Sequence, residues 1–131
     1  MKSSVFLIQL MFLFTVLSGQ DDDYISKGKF RISIGDYQQA EIFFTTAIEE
    51  DSTNIEAYYY RAKVKIADER FEEAYEDIKK ALKIDSTHTD TYSIAGRMFY
   101  RQRNYQMAVN YFEKAAQIDP KTHRIFYKIG L

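Results

Sequence analysis

The sequence predicts an all-α fold of stacked helix hairpins, and three observations carry that prediction. Only one Pro and five Gly punctuate 131 residues, too few breaks for a turn-rich β protein. Hydrophobic residues make up 46% of the chain, with ten Phe and eleven Tyr, so a packed core can form. A 34-residue period runs without a gap from residue 21 to residue 122.

Charge and composition remove several function classes. Eighteen Lys and Arg stand against 19 Asp and Glu, a net charge of −1, which lacks the basic excess of a general nucleic-acid binder. The absence of Cys excludes disulfides, thiolate zinc sites and a Cys nucleophile. A length near 130 residues fits one ordinary domain.

The first element is a leader. Met1 to Gln20 carries Lys2, an apolar run from Val5 to Leu17, then Ser18 and Gly19. That is the layout of a secretory signal peptide, assigned to residues 1–19, with cleavage after Ser18 or Gly19. The apolar run would rise only about 20 Å as a helix, short of the roughly 30 Å hydrocarbon layer. No Cys follows it for lipid attachment. The expectation is an exported, periplasmic or secreted protein that meets a membrane only through its leader.

The repeat domain spans residues 20–131. Repeats 21–54, 55–88 and 89–122 align an aromatic at Tyr24, Tyr58 and Tyr92, and a small residue at Gly28, Ala62 and Gly96. A mid-repeat aromatic follows at Tyr37, Phe71 and Tyr105, then Ala40, Ala74 and Ala108. A large apolar column (Phe44, Ile78, Phe112), a second alanine column (Ala47, Ala81, Ala115) and an acid (Asp51, Asp85, Asp119) close the unit. Spacings of three and four put each set on one helix face. Gly35-Asp36, Glu69-Arg70 and Arg103-Asn104 mark the turn inside each hairpin. Thr53 to Glu56 and Thr87 to Asp90 have capping-box spacing before the next helix. One hairpin cannot bury its apolar face, so neighbours must stack.

These columns resemble the tetratricopeptide repeat, whose pattern is Trp-x2-Leu-Gly-x2-Tyr, then Ala-x3-Phe, Ala and a closing Pro. Tyr stands for Trp throughout, and Pro120 is the one closing proline. Lys27, Arg61 and Ala95 occupy the Leu slot; Arg31, Lys65 and Phe99 occupy the Tyr slot. The stretch Arg61-Ala62-Lys63-Val64-Lys65 is similar to a variant in which an Asp on the second helix answers the Arg, here Asp77. The resemblance implies a right-handed α-solenoid and a concave groove lined by the first helix of each repeat. Its slots are Ile25, Lys29 and Ile32; Tyr59, Lys63 and Ile66; Ser93, Arg97 and Tyr100. Lys29, Lys63 and Arg97 form a basic ladder, with no acid three or four residues away to neutralise them within a helix. In the carboxylate clamp of co-chaperone members, Arg97 fits its slot, whereas Lys29 and Lys63 stand at Asn slots and Ile25 and Ser93 at Lys slots. What the resemblance implies is a non-catalytic adaptor that prefers acidic or C-terminal peptide segments. The alternative is a structural subunit of an envelope assembly, stacked through its ends.

Catalytic constellations are missing. His88 and His123 lie at repeat joints without convergent ligands, and no phosphate loop, Gly-x-Ser-x-Gly elbow or His-Glu-x-x-His occurs. The carboxylates at 21–23, 49–51 and 72–77 read as solvated helix faces. The run Tyr58-Tyr59-Tyr60 reads as one core and two surface positions. No enzyme activity, metal or cofactor is expected. Residues 123–131 begin a truncated capping helix; its apolar side chains are expected to leave a patch for self-association.

Overall fold

The computed structural model describes residues 4–9 and 23–124. Residues 4–9 are helical and exposed. Six helices follow: α1 Tyr24–Ser33, α2 Tyr37–Glu50, α3 Ile55–Ala67, α4 Phe71–Ile84, α5 Thr89–Arg101 and α6 Tyr105–Ile118. A 3-10 turn, Pro120–Thr122, comes next. The pairs α1–α2, α3–α4 and α5–α6 form hairpins in the register of the 34-residue period. Among the described residues, no helix is long and apolar enough to cross a membrane. The self-association patch predicted at the C-terminus falls mostly on residues 125–131, outside the described residues.

Each hairpin turns through one residue in the left-handed region: Gly35 at φ 79°, Glu69 and Arg103 at φ 60°. The following amide reaches back five residues, as Asp36 N to Arg31 O at 2.9 Å, Arg70 N to Lys65 O at 2.9 Å and Asn104 N to Phe99 O at 2.9 Å. These bonds satisfy carbonyls that the helix end leaves open. Asp36 and Asn104 then cap α2 and α6 by accepting the amides of Gln39 and Met107, both at 3.2 Å.

The joints between repeats differ from the capping boxes that the spacing predicted. Asn54, not Thr53, caps α3, accepting the Ala57 amide at 3.0 Å. Thr53 instead donates its amide and hydroxyl to Asp51 Oδ1, at 2.9 and 2.6 Å. Thr87 does the same to Asp85, at 2.8 and 2.6 Å, and His88 takes the cap position of α5 without a side-chain cap. A carboxylate two residues upstream wins the threonine because it is charged and already in turn geometry. Thr53 and Thr87 therefore hold the carboxyls of Asp51 and Asp85 below the ordinary carboxylate range, hydroxyl first and amide second.

That shift has a sign. A carboxyl depressed in the folded state contributes stability above its unfolded pKa and loses it as pH falls through the folded value. The melting temperature is expected to drop below about pH 4. The Asp51→Asn/Asp85→Asn variant should show a shallower acid limb in melts from about pH 5 to pH 2. An unaltered limb would show that other carboxylates control it.

The core is built from the small and large columns read in the sequence. Ala40, Phe44 and Val64 form one cluster, Ala62, Ala74, Ile78, Ile94, Ala95 and Met98 a second, and Ala108, Phe112 and Ala115 a third. First helices touch directly, α1 with α3 and α3 with α5. Among the described residues, the backbones of the second helices α2, α4 and α6 stay farther apart, and long side chains such as Tyr75 and Tyr111 bridge the interval. The first helices thus line the short, inner side of the stack. Side chains also tie repeats together. Arg70 grips Glu41 on α2 through both guanidinium nitrogens, and Arg101 donates to Ile66 O at 2.8 Å and Glu69 at 3.2 Å.

Candidate functional site: the inner face of the first helices

Lys29, Lys63 and Arg97 occupy equivalent exposed positions on α1, α3 and α5. The apolar slots beside them are half-buried and partly structural. Ile25 and Ile32 pack on the Ala40–Phe44–Val64 cluster, and Tyr59 and Ile66 on the central cluster. Ser93, half-buried, returns its hydroxyl to Thr89 O at 3.1 Å. Tyr100 is 40% exposed and meets Tyr105 edge to face at 5.5 Å.

The lysines are organised by aromatic rings. Lys29 Nζ lies 5.1 Å from the Tyr60 ring centroid and Lys63 Nζ 5.2 Å from the same centroid. Lys63 also lies 5.4 Å from the Tyr59 ring. Tyr59 and Tyr60 meet edge to face at 4.9 Å, and Tyr60 stacks on Phe44 at 5.5 Å. Ammonium groups at these distances are held by the ring quadrupoles. Hydrogen bonding to Tyr60, then its charge, then that of Glu56, raises Lys29 above the ordinary lysine pKa. Burial first, then the charge of Asp90, pushes the Tyr59 hydroxyl up to about 12, while Arg97 pulls it the other way. Arg97 and Asp90 are therefore within electrostatic reach of Tyr59.

One expectation is extended here and another is corrected. The ladder has no neutralising acid three or four residues away within its own helices, as the spacing implied, but Glu56 on α3 reaches Lys29 at 3.5 Å across the repeat boundary. Intrahelical spacing could not show this, because the pair is 27 residues apart and joined by helix packing. Tyr59 and Tyr60 are not surface residues but half-buried, while Tyr58 is buried with its hydroxyl donating to Ser52 O at 3.2 Å. Tyr60 is the central ring of the site and was not among the predicted groove slots. The period offers no column for it, since Ser26 and Ile94 hold its place in the other repeats.

Beneath this surface lies the ion cluster that the Arg61–Asp77 pairing anticipated. Arg61 binds Asp77 through Nε at 2.9 Å and Nη2 at 2.7 Å, and Thr45 through Nη1 at 3.2 Å. Lys65 adds a third bond to Asp77 at 2.9 Å. Asp77 is 3% and Lys65 8% exposed, so both charges are removed from water and answered in place. The cluster joins α2, α3 and α4 and positions α3, the middle one of the three first helices. Among the described residues, no group of three or more His, Cys, Asp or Glu could hold a metal ion.

A family model described as anaphase-promoting complex, cyclosome, subunit 3 matches residues 33–123. The first TPR domain of the human RPAP3 protein is 21% identical, with a TM-score of 0.75 over 82% of this chain and 87% of that one. The Arabidopsis OM64 TPR domain is 25% identical, with a TM-score of 0.75 over 82% and 90% of the two chains. The second TPR of Spaghetti (RPAP3) bound to the HSP90 peptide SRMEEVD is 21% identical, with a TM-score of 0.70 over 76% and 93%. No curated protein matches the chain. The likenesses make the fold that of a tetratricopeptide domain, as the repeat columns implied.

Proposed function

The chain belongs to the family of anaphase-promoting complex, cyclosome, subunit 3, and from that premise we propose that it is a non-catalytic adaptor holding a partner's peptide in its concave groove. The observation that carries this reading is the string Lys29–Tyr60–Lys63–Tyr59, in which two ammonium groups flank one half-buried ring on the inner face. Such a surface favours an acidic or C-terminal peptide segment, because carboxylates gain both the lysines and the polarised ring edges. Spaghetti (RPAP3), which shares the fold, holds the acidic peptide SRMEEVD. The leader reading adds that the adaptor works outside the cytoplasm, its mature chain beginning at Gly19 or Gln20. N-terminal sequencing of the exported protein tests this, and an intact Met1 would reject it.

The groove reading is tested by reversing Lys29, Lys63 and Arg97 to Glu. Affinity for an acidic peptide is expected to fall at least about tenfold and to lose its salt dependence, with helicity unchanged. Wild-type affinity in the triple variant would return the three residues to a solvated surface.

One observation favours a second reading, a structural subunit that stacks through its ends. Phe30 is 60% exposed, whereas Val64 and Met98, one and two periods later, are each 1% exposed against the preceding repeat. The first repeat thus presents a face that the other two bury. Mass that rises with concentration in the absence of any partner would favour this reading; a constant monomer would reject it.

A further inference from the structure

One interval between repeats has changed its chemistry. Between α2 and α4 the interval holds Arg61, bonded to Asp77 and Thr45, with its Cζ 5.8 Å from the Tyr58 ring centroid. Glu73 and Glu76 precede Asp77 on the same helix. One period later, between α4 and α6, Ala95 stands where Arg61 stood. Met107, Asn110 and Tyr111 replace Glu73, Glu76 and Asp77, while Lys114 keeps the place of Lys80. Three carboxylates have gone and the lysine has stayed.

What remains is an open cleft of about 310 Å³ lined by Leu82, Tyr92, Met107, Asn110, Tyr111 and Lys114. That volume reaches the lower end of the range for ligand sites and is far larger than a packing defect. Its walls are held. Tyr111 stacks on Phe99 at 5.4 Å with its hydroxyl 3.0 Å from that of Tyr75, and Tyr92 donates its hydroxyl to Ser86 O at 2.9 Å. With both hydroxyls engaged, the two rings offer apolar surface, beside a thioether and an aliphatic side chain. A cation, which fills the equivalent interval, has no carboxylate here and faces Lys114 instead. The lining suits an apolar group that carries negative charge beside it.

We propose that this cleft, which shares no lining residue with the groove, is a second docking site that takes an aromatic side chain from an acidic segment of a partner. The site stands on its own residues and is independent of the groove reading. It is tested with three capped tripeptides, Glu-Phe-Glu, Glu-Ala-Glu and Lys-Phe-Lys, by amide shift titration of the whole repeat domain. Glu-Phe-Glu is expected to shift Met107, Asn110, Tyr111 and Lys114 saturably, and the other two peptides to leave them nearly unmoved. Lys114→Glu, at an exposed position, should weaken Glu-Phe-Glu at least about fivefold. Asn110→Trp should block the cleft from its rim, and Lys63→Glu should leave the cleft shifts as they are. Equal response to the three peptides, shifts confined to the groove, or wild-type affinity in the Lys114→Glu variant would each overturn the proposal.

Discussion

Replacing Asp77 with alanine is expected to destabilise the domain by about 3–5 kcal/mol. The carboxylate is 3% exposed and answers Arg61 and Lys65 at once, at 2.7 to 2.9 Å. Removing it leaves two cations facing each other with little water to screen them, a loss that is large against the roughly 5–15 kcal/mol of a typical domain. The third repeat contains an alternative solution at the same positions: Ala95, Phe99 and Tyr111, with Phe99 and Tyr111 stacked at 5.4 Å. Transplanting it as R61A/K65F/D77Y is expected to recover most of the loss, because apolar packing can match a buried ion cluster without the desolvation cost. Urea denaturation of the wild type, the single variant and the triple variant makes the comparison. A single variant that loses less than about 1 kcal/mol would mean that water reaches the cluster.

Gly96→Ala is expected to cost about 1–3 kcal/mol, although alanine ordinarily favours a helix over glycine. A Cβ built at position 96 would stand 2.5 Å from Phe112 Cε1, well inside contact distance. Gly28 faces Phe44 in the same way, while the second repeat pairs Ala62 with Ile78. Glycine therefore accompanies the ring, and alanine the smaller branched chain. The double variant Gly96→Ala/Phe112→Ile copies the second repeat and is expected to be more stable than the sum of its single changes by at least about 1 kcal/mol. Strict additivity in thermal or urea melts would show that the ring moves aside freely.

Much of the candidate site is legible in the sequence. Lys29, Lys63 and Arg97 were legible because a 34-residue period carries equivalent positions to equivalent places, whatever the side chain. The Arg61–Asp77 pair was legible for a related reason, as two charges at slots that must face the partner helix of one hairpin. Tyr60 was not, since its column reads Ser26, Tyr60 and Ile94 and so has no pattern to find. Glu56 beside Lys29 and Glu41 beside Arg70 escaped for want of local spacing, as did the part of Lys65 in the ion cluster.

By itself the sequence determined the hairpins, their register and the buried columns. These follow from periodicity along a helix, and Ala40, Phe44 and Ala47 can share only one face of α2. Tertiary structure alone decided which side chains meet across a repeat boundary: Lys29 with Tyr60 and Glu56, Arg70 with Glu41, and the cleft left beside Ala95. Those contacts depend on how helices cross and on how far each side chain reaches. The crossing is set by the summed packing of small and large residues over the whole stack, which no single stretch of chain contains.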